Sequence, residues 1–440
     1  MNFREEKKIY YGAQTQKSIE NFPISGERPD LNFIYSIVLI KKAAAIVNGN
    51  LGLLEKKYSK AIISACESIL NGKYNDQFVV DIFHSGAGTS LHMNVNEVIA
   101  KISNTHPNDH VNMSQSTNDV IPSALRIATI SLLPKLCSSI EQAADTFKKK
   151  GKEFKTTVKS GRTHLQDAMP VLLGEEFKAY GKTLENDLIR IKEAAENIKL
   201  LGIGGTAVGT GVNSHPQYRK LIIKELRKLT GIKLEASLNL QESMQNTSDF
   251  LGMSSSLQIL SQNLIRIGND LRLLSSGPGA GFSEISLPEV TQGSSIMPGK
   301  VNPSIVEMLT MVCFQVIGFS QSILLGCMNG QLELNVFMPL IASNLIKQIK
   351  YLTNSLIIFN DKCLLEIKEN KTMIDFWLYR SMGTAAILNP YIGYEKAASL
   401  LKESIKTGKT IAELAVEKKY LTKQKAKKIF NFKKMIKPNL

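Results

Sequence analysis

A chain of 440 residues, 43% of them hydrophobic, is long enough for two or three domains with substantial cores. Its five cysteines (Cys66, Cys137, Cys313, Cys327 and Cys363) are odd in number and lack paired spacing, which excludes a disulfide framework and a cysteine zinc site and points to a reducing, cytoplasmic setting. The formal charge of +15 is concentrated late, with twelve lysines against three glutamates between Lys402 and Lys437, but without arginine or a nucleic-acid motif the tail reads as a solvated helical surface.

The first eight residues, Met-Asn-Phe-Arg-Glu-Glu-Lys-Lys, lack the apolar core of a signal peptide. No run reaches the ~18 uninterrupted apolar residues of a membrane helix, so neither a membrane nor a nucleic acid is expected as partner. Tyr11-Gly-Ala-Gln-Thr15 is followed by Gly86-Ala-Gly-Thr-Ser-Leu-His-Met-Asn-Val-Asn-Glu97, where glycines frame the Thr89 and Ser90 hydroxyls and free backbone amides. The string from His106 to Asp119 ends in Ser116-Thr117-Asn118, ahead of a helical pattern over 119–150. Read alone these three are an ordinary helix cap, although amides at a helix start also suit an anion. Gly161-Arg-Thr-His-Leu-Gln-Asp167 borders a second helical pattern over 168–200, and a lone histidine there, His164, is by itself a structural residue. Gly202–Gly211 is glycine-rich but lacks the βαβ setting of a phosphate loop.

Between Ser237 and Ser276 the apolar positions Leu257, Leu260, Leu264, Ile267, Leu271 and Leu274 recur at steps of three and four, and Gly277-Pro278 stops the pattern. Some 40 residues would make a rod of about 60 Å. Further patterns over 303–326 and 333–366 bring the long rods to five. Met308, Met311, Val312, Phe314, Val316 and Ile317, beside Glu307 on one short rod, exceed what a single copy can bury, so an all-α oligomer is expected.

Residues 293–303 read Gly-Ser-Ser-Ile-Met-Pro-Gly-Lys-Val-Asn-Pro. Gly293 and Gly299 permit unusual backbone angles while Pro298 and Pro303 fix theirs, as in a lid that moves and then holds one shape. Lys300 offers a compact cation for a carboxylate, and Asn302 a neutral donor beside it.

Together with Gly204–Gly211, Leu332-Glu-Leu-Asn335 and Leu388-Asn-Pro-Tyr-Ile-Gly-Tyr394, these strings resemble, in order and over nearly the whole chain, the signatures of the fumarase/aspartase superfamily. Its members are lyases that eliminate across the Cα–Cβ bond of a succinyl group. The resemblance implies an all-α fold of three domains: 1–117, a central five-helix bundle over 118–370, and a helical 371–440. The central domains would form a twenty-helix core in a homotetramer. It also implies Ser294 as the general base, acting as an oxyanion stabilised by loop amides and a nearby cation. His164 would orient substrate and pair with Glu307. Thr89, Ser90, Ser116, Thr117 and Asn118 would hold the β-carboxylate and amino group, and Lys300, Asn302 and Thr163 the α-carboxylate. No His/Cys/carboxylate cluster has ligand spacing, and neither a metal nor another cofactor is expected.

Three positions depart from the family's pattern. His92 stands where asparagine is usual, only eight residues separate Glu97 from His106 where relatives carry a longer loop, and Gly279 replaces an arginine. Within the family, Gly86-Ala-Gly-Thr-Ser90, Gln245-Asn-Thr and the Asn269–Pro278 string lean toward eliminating ammonia from aspartate. Tyr11–Gln16, Gly204–Gly209 and Gly393–Ala398 lean toward a fumarase, which eliminates water from malate. The strings nearest the substrate carry more weight, which favours aspartate over a dicarboxylate alcohol. The rival from another class is a non-catalytic protein that kept the fold, as lens proteins of this family do, and retention of Ser294, Lys300, Asn302, Thr163 and His164 argues against it.

Overall fold

The structure, a computed structural model, describes residues 8–432 and 436; the first seven residues and Lys433, Lys434 and Lys437 of the basic tail lie outside them. Helices dominate, and the strands among the described residues form three two-stranded pairings. Contacts divide the chain into two units.

The first unit comprises the chain up to Ser138 together with Asp187–Gln262 and Val312–Asn354. Its centre is helix α2 (Leu31–Asn50, after α1 at Ala13–Asn21), started by Asp30, whose carboxylate accepts from Asn32 N. Ile34, Ile37, Val38, Ile40 and Val47 are all buried, so α2 is covered almost all round, by α3 (Lys56–Leu70) and α4 (Thr89–Ser103) among others. A lysine in that apolar run, Lys41, is fully buried.

Five long helices supply the bundle: α5 (Thr117–Glu153), α6 (Leu173–Ile198), α9 (Ser248–Leu274), α10 (Ser304–Met328) and α11 (Met338–Lys362), with the short α7 (Tyr218–Thr230) and α8 (Leu240–Gln245) between α6 and α9. Within the first unit Arg126 on α5 pairs with Asp249 on α9 at 2.8 Å, Ser254 on α9 bonds Ser320 on α10, and Gln348 on α11 donates to Ser320. Within the second unit (Ser139–Asn186, Asn263–Met311 and Ser355–Leu440) Phe147, Phe177, Tyr180 and Phe359 bring α5, α6 and α11 together through edge and tilted ring contacts. A separate core in that unit gathers Leu388, Leu400, Ile411, Leu414, Leu421 and Ile429 from the short C-terminal helices.

The all-α architecture matches the expectation, and two local expectations need correction. The rod read over 237–276 is two helices, α8 and α9, broken at Asn246-Thr247. Asn246 is extended and its Oδ1 accepts Ser248 N at 3.0 Å, so a side-chain cap ends one helix and starts the next. The 27 residues of α9 span about 40 Å rather than 60. The helix expected from 168 begins at Leu173, because residues 158–172 form an antiparallel hairpin, β1 (Val158–Thr163) and β2 (Gln166–Leu172).

Three helices, α2, α5 and α10, are long and apolar enough to cross a bilayer by length and composition alone. In α2 and α5 two-thirds of the apolar window is buried within the chain, against one-third in α10. On α10 Val316 is buried, but Met311, Phe314 and Leu325 are each more than half exposed. The three lie along one face of α10, an apolar row left uncovered within the chain.

Candidate active site

The second unit holds six of the residues singled out by sequence. His164 and Leu165 form the two-residue turn between β1 and β2, at φ 54° and 58°. Positive φ at both central positions is the hairpin turn whose twist suits the flanking strands, and for leucine it is a strained conformation. The strand pairing is irregular between Ser160 and Arg162, and a Cβ on Gly161 would sit 2.4 Å from Met169 O, so glycine is required there. Below the tip, Glu284 lies fully buried against Arg162 (2.9 Å) and Lys159 (3.2 Å), and Lys159 also pairs with Glu176 at 3.3 Å. Burial pushes the Glu176 carboxyl up. This network clamps the hairpin and leaves Thr163 and His164 exposed at its tip.

The segment 293–303 closes on itself. Asn302 Nδ2 donates to Gly293 O at 2.8 Å, and a Cβ on Gly293 would collide with the Lys300 carbonyl, so only glycine permits that closure. Gly299 sits at φ 77°. Ser294 Oγ accepts the backbone N–H of Ile296 at 3.1 Å and of Met297 at 3.0 Å. Two amides on one hydroxyl oxygen form an anion-stabilising pocket at the atom named above as the base. Lys300 is exposed and has no ion-pair partner among the described residues. Glu307 stands in the first turn of α10, and among the described residues no hydrogen bond joins it to His164.

The first unit holds the other five. Ser90 is buried and bonded to Ser85 (Oγ to Oγ 2.8 Å), whereas Thr89 is exposed at the start of α4. The turn before them is pinned by Ala87 N donating to Val336 O at 2.7 Å, with Ala87 and Gly88 both at positive φ. Ser116 directly precedes α5: its Oγ accepts Asn118 N at 3.3 Å, while its own N–H donates to Asp119 Oδ1 at 2.9 Å, a reciprocal cap. Asp119 Oδ2 accepts the amides of Gly204 and Thr206, both at 3.0 Å, and Asn118 Nδ2 donates to Ala207 O at 2.8 Å. The glycine-rich string is thus the cradle of the α5 start. Burial pushes the Asp119 carboxyl up to about 6 against the pull of these amides.

The three departures have structural outcomes. His92 is buried beneath Thr117, with Nδ1 2.7 Å from Thr117 Oγ1 and Nε2 2.6 Å from Lys41 Nζ. Burial and the Lys41 charge hold its ring well below the ordinary histidine range, so it adds no charge at the site. The short connection after α4 begins at Asn104, the helix C-cap at φ 53°, and His106 pairs with Asp109 at 3.0 Å. A Cβ on Gly279 would meet open space.

Sequence reasoning missed three buried charges and one half-buried one that hold the site up: Lys41, Asp119 and Glu284, and Glu97. Glu97 accepts the amides of Gly12, Gln14 and Thr15 and the Thr15 hydroxyl. A charged residue inside an otherwise apolar helical run, as Lys41 is, was the available signal. Cys66, Cys313, Cys327 and Cys363 are free, and burial pushes the Cys66, Cys313 and Cys363 thiols up to about 12.

A mainly helical fold thus carries a loop with a serine hydroxyl on paired amides and an exposed lysine six residues on. The sequence matches the family described as Lyase over residues 1–318 and the Fumarase C C-terminus over residues 385–437. The chain belongs to the fumarase/aspartase superfamily. It is 44% identical over 445 residues to the aspartate ammonia-lyase of Helicobacter pylori strain ATCC 700392 / 26695, covering 98% of this chain and 95% of the relative. It is 40% identical over 442 residues to the class II fumarate hydratase of the same strain, covering 98% and 96%. The solved structure of a cobalt-bound fumarate lyase:delta crystallin from Brucella melitensis superposes with a TM-score of 0.94 at 39% identity, covering 98% of this chain and 96% of that one.

Proposed function

We propose that the chain is an aspartate ammonia-lyase, a carbon–nitrogen lyase that converts L-aspartate reversibly into fumarate and ammonia. The observation that carries the reaction type is the Ser294 Oγ held by the amides of Ile296 and Met297. As an oxyanion it takes the Cβ proton. The electron pair moves into the adjacent carboxylate to give a doubly charged aci-carboxylate, which collapses to the C=C bond as ammonia leaves with the C–N pair. An ammonium that departs as neutral ammonia needs no strong acid, whereas hydroxide would need a dedicated donor.

In this reading Lys300, Asn302 and Thr163 bind the α-carboxylate, Thr89, Ser90 and Ser116–Asn118 the β-carboxylate and amino group, and His164, paired with Glu307, orients the substrate. The absence of a His164–Glu307 bond within one chain supports sites assembled from several subunits of a homotetramer, as does the exposed apolar row on α10. A twenty-helix core built from a central domain over 118–370 fits that assembly, and free buried thiols suit the cytoplasm. Gly86-Ala-Gly-Thr-Ser90 favours ammonia over water; the fumarase alternative rests on Tyr11–Gln16, Gly204–Gly209 and Gly393–Ala398.

The test is one preparation assayed with L-aspartate and with malate under matched conditions, following fumarate absorbance. Faster conversion of aspartate is expected. Faster conversion of malate establishes the fumarase reading instead, and no conversion of either establishes the non-catalytic one.

A further inference from the structure

We propose that Lys41 and His92 are positioning residues: a buried relay that turns the Thr117 hydroxyl outward as a hydrogen-bond donor to a substrate carboxylate. The substrate half of this inference rests on the function proposed above; the relay itself does not.

Lys41 Nζ is fully buried, 2.6 Å from His92 Nε2 and 2.8 Å from Asn112 Oδ1. An ammonium has three hydrogens and no lone pair, so both neighbours must accept from it. A neutral imidazole that accepts at Nε2 carries its hydrogen on Nδ1. Nδ1 faces Thr117 Oγ1 at 2.7 Å, so the histidine donates and the threonine oxygen accepts. The hydroxyl hydrogen is then left for another acceptor, and Thr117 Oγ1 has no second partner among the described residues. Thr117 is the first residue of α5 and is half-buried, between an interior chain of donors and the surface its neighbours Ser116 and Asn118 share. An asparagine at 92 carries the same acceptor–donor pair on one side chain, whereas a phenyl ring carries neither.

The direction of the relay depends on the Lys41 proton. Burial holds the lysine down at about 7, against the pull of Asp119 on α5 and of Cys66 on α3. Burial keeps the Cys66 thiol neutral by pushing it up to about 12, and the Tyr218 phenol on α7, which faces Asp119, is pushed up as well. Asp119 is pushed up to about 6, so between about 6 and 7 it and Lys41 are both charged. Below about 7 Lys41 donates and Thr117 points its hydrogen outward. Above it the neutral amine keeps two hydrogens and gains a lone pair, so His92 is no longer compelled to accept at Nε2, and the arrangement with Nε2–H toward the amine and Nδ1 accepting from Thr117 becomes available. Affinity carried by that hydroxyl therefore falls as pH rises through about 7.

Two measurements separate the relay from the proposed reaction. In native enzyme with nitrogen-labelled histidine, His92 is assigned as the resonance pair lost in His92→Asn, one of only six histidines in the chain. At pH about 6 the hydrogen is expected on Nδ1; finding it on Nε2 overturns the relay whatever the enzyme turns over. In kinetics with aspartate, His92→Phe is expected to raise KM about tenfold to a hundredfold with a smaller change in kcat, as loss of a hydrogen bond to a charged group would. His92→Asn should recover most of the loss. An unchanged KM in a His92→Phe enzyme that unfolds at the wild-type temperature overturns the proposal. Should the phenylalanine variant fail to fold, Thr117→Val replaces it: the rise of KM through pH 7 should vanish, and its persistence overturns the proposal. A wild type inert toward aspartate but showing the Nδ1 hydrogen refutes the proposed function and leaves the relay standing.

Discussion

Replacing Ser294 by alanine removes the proposed base and leaves the loop that carries it. The Ile296 and Met297 amides approach Oγ at 3.1 and 3.0 Å. The same amides bond the neutral hydroxyl, so only the gain on ionisation counts, about 1–1.5 kcal/mol per bond, and the pair favours the alkoxide by about 2–3 kcal/mol. At about 1.4 kcal/mol per pKa unit this lowers the hydroxyl by roughly one and a half to two units. A cation such as Lys300 favours the alkoxide further, whereas exclusion of water opposes it. Ser294→Ala should therefore cut kcat at least about a thousandfold while KM stays within about threefold, because the oxyanion acts on a proton and holds little of the ground state. Ser294→Cys, with a thiol that ordinarily titrates near about 8.5, should keep measurable turnover with its basic-form limb moved toward neutral pH. The assay is initial-rate fumarate absorbance across pH, beside a calorimetric scan to show the lid variants fold. An alanine variant retaining more than about a tenth of wild-type kcat would refute Ser294 as the base.

Lys300→Ala should raise KM severely, and Lys300→Arg should rescue poorly because a planar fork crowds a four-carbon substrate; near-normal kinetics in the arginine variant would remove Lys300 from the carboxylate site. Glu284→Gln leaves Lys159 and Arg162 facing a buried amide, so a loss of about 3–5 kcal/mol in denaturant unfolding is expected, with kcat falling as the Thr163–His164 turn loosens; a loss below about 1 kcal/mol would mean the clamp is not structural. Light scattering at micromolar concentration should give a mass four times the 48.7 kDa chain, and an active monomer would refute shared sites.

The fold class and the five long helices were legible because a 3.6-residue apolar period survives in a single sequence. The hairpin over 158–172 was not. Val-Lys-Ser-Gly-Arg-Thr has no alternation of apolar and polar side chains, and His164-Leu165 is not one of the residue pairs that announce a two-residue turn. The break at Asn246 was hidden inside a run whose apolar spacing continues past it, since a capping side chain leaves the period untouched.

What the sequence conceals in the site is tertiary. Glu97 reaches amides 82 to 85 residues away, Asp119 reaches Gly204 and Thr206 85 and 87 residues away, and Glu284 reaches Arg162 across 122. Each is a buried or partly buried carboxylate at or near the end of one polar string, and its partners lie in another string. Tyr11–Thr15 folds onto Glu97, the glycine-rich 204–206 amides onto Asp119, and the Arg162 hairpin onto Glu284. Strings that read as separate binding motifs are thus halves of carboxylate clasps, and the hydroxyls proposed to touch substrate ride on them. Ser116, Thr117 and Asn118 occupy the three residues before Asp119, so their geometry is set by a carboxylate that touches no ligand in this reading. A bound dicarboxylate can then be met by donors already in place, at a reorganisation cost that folding has met in advance.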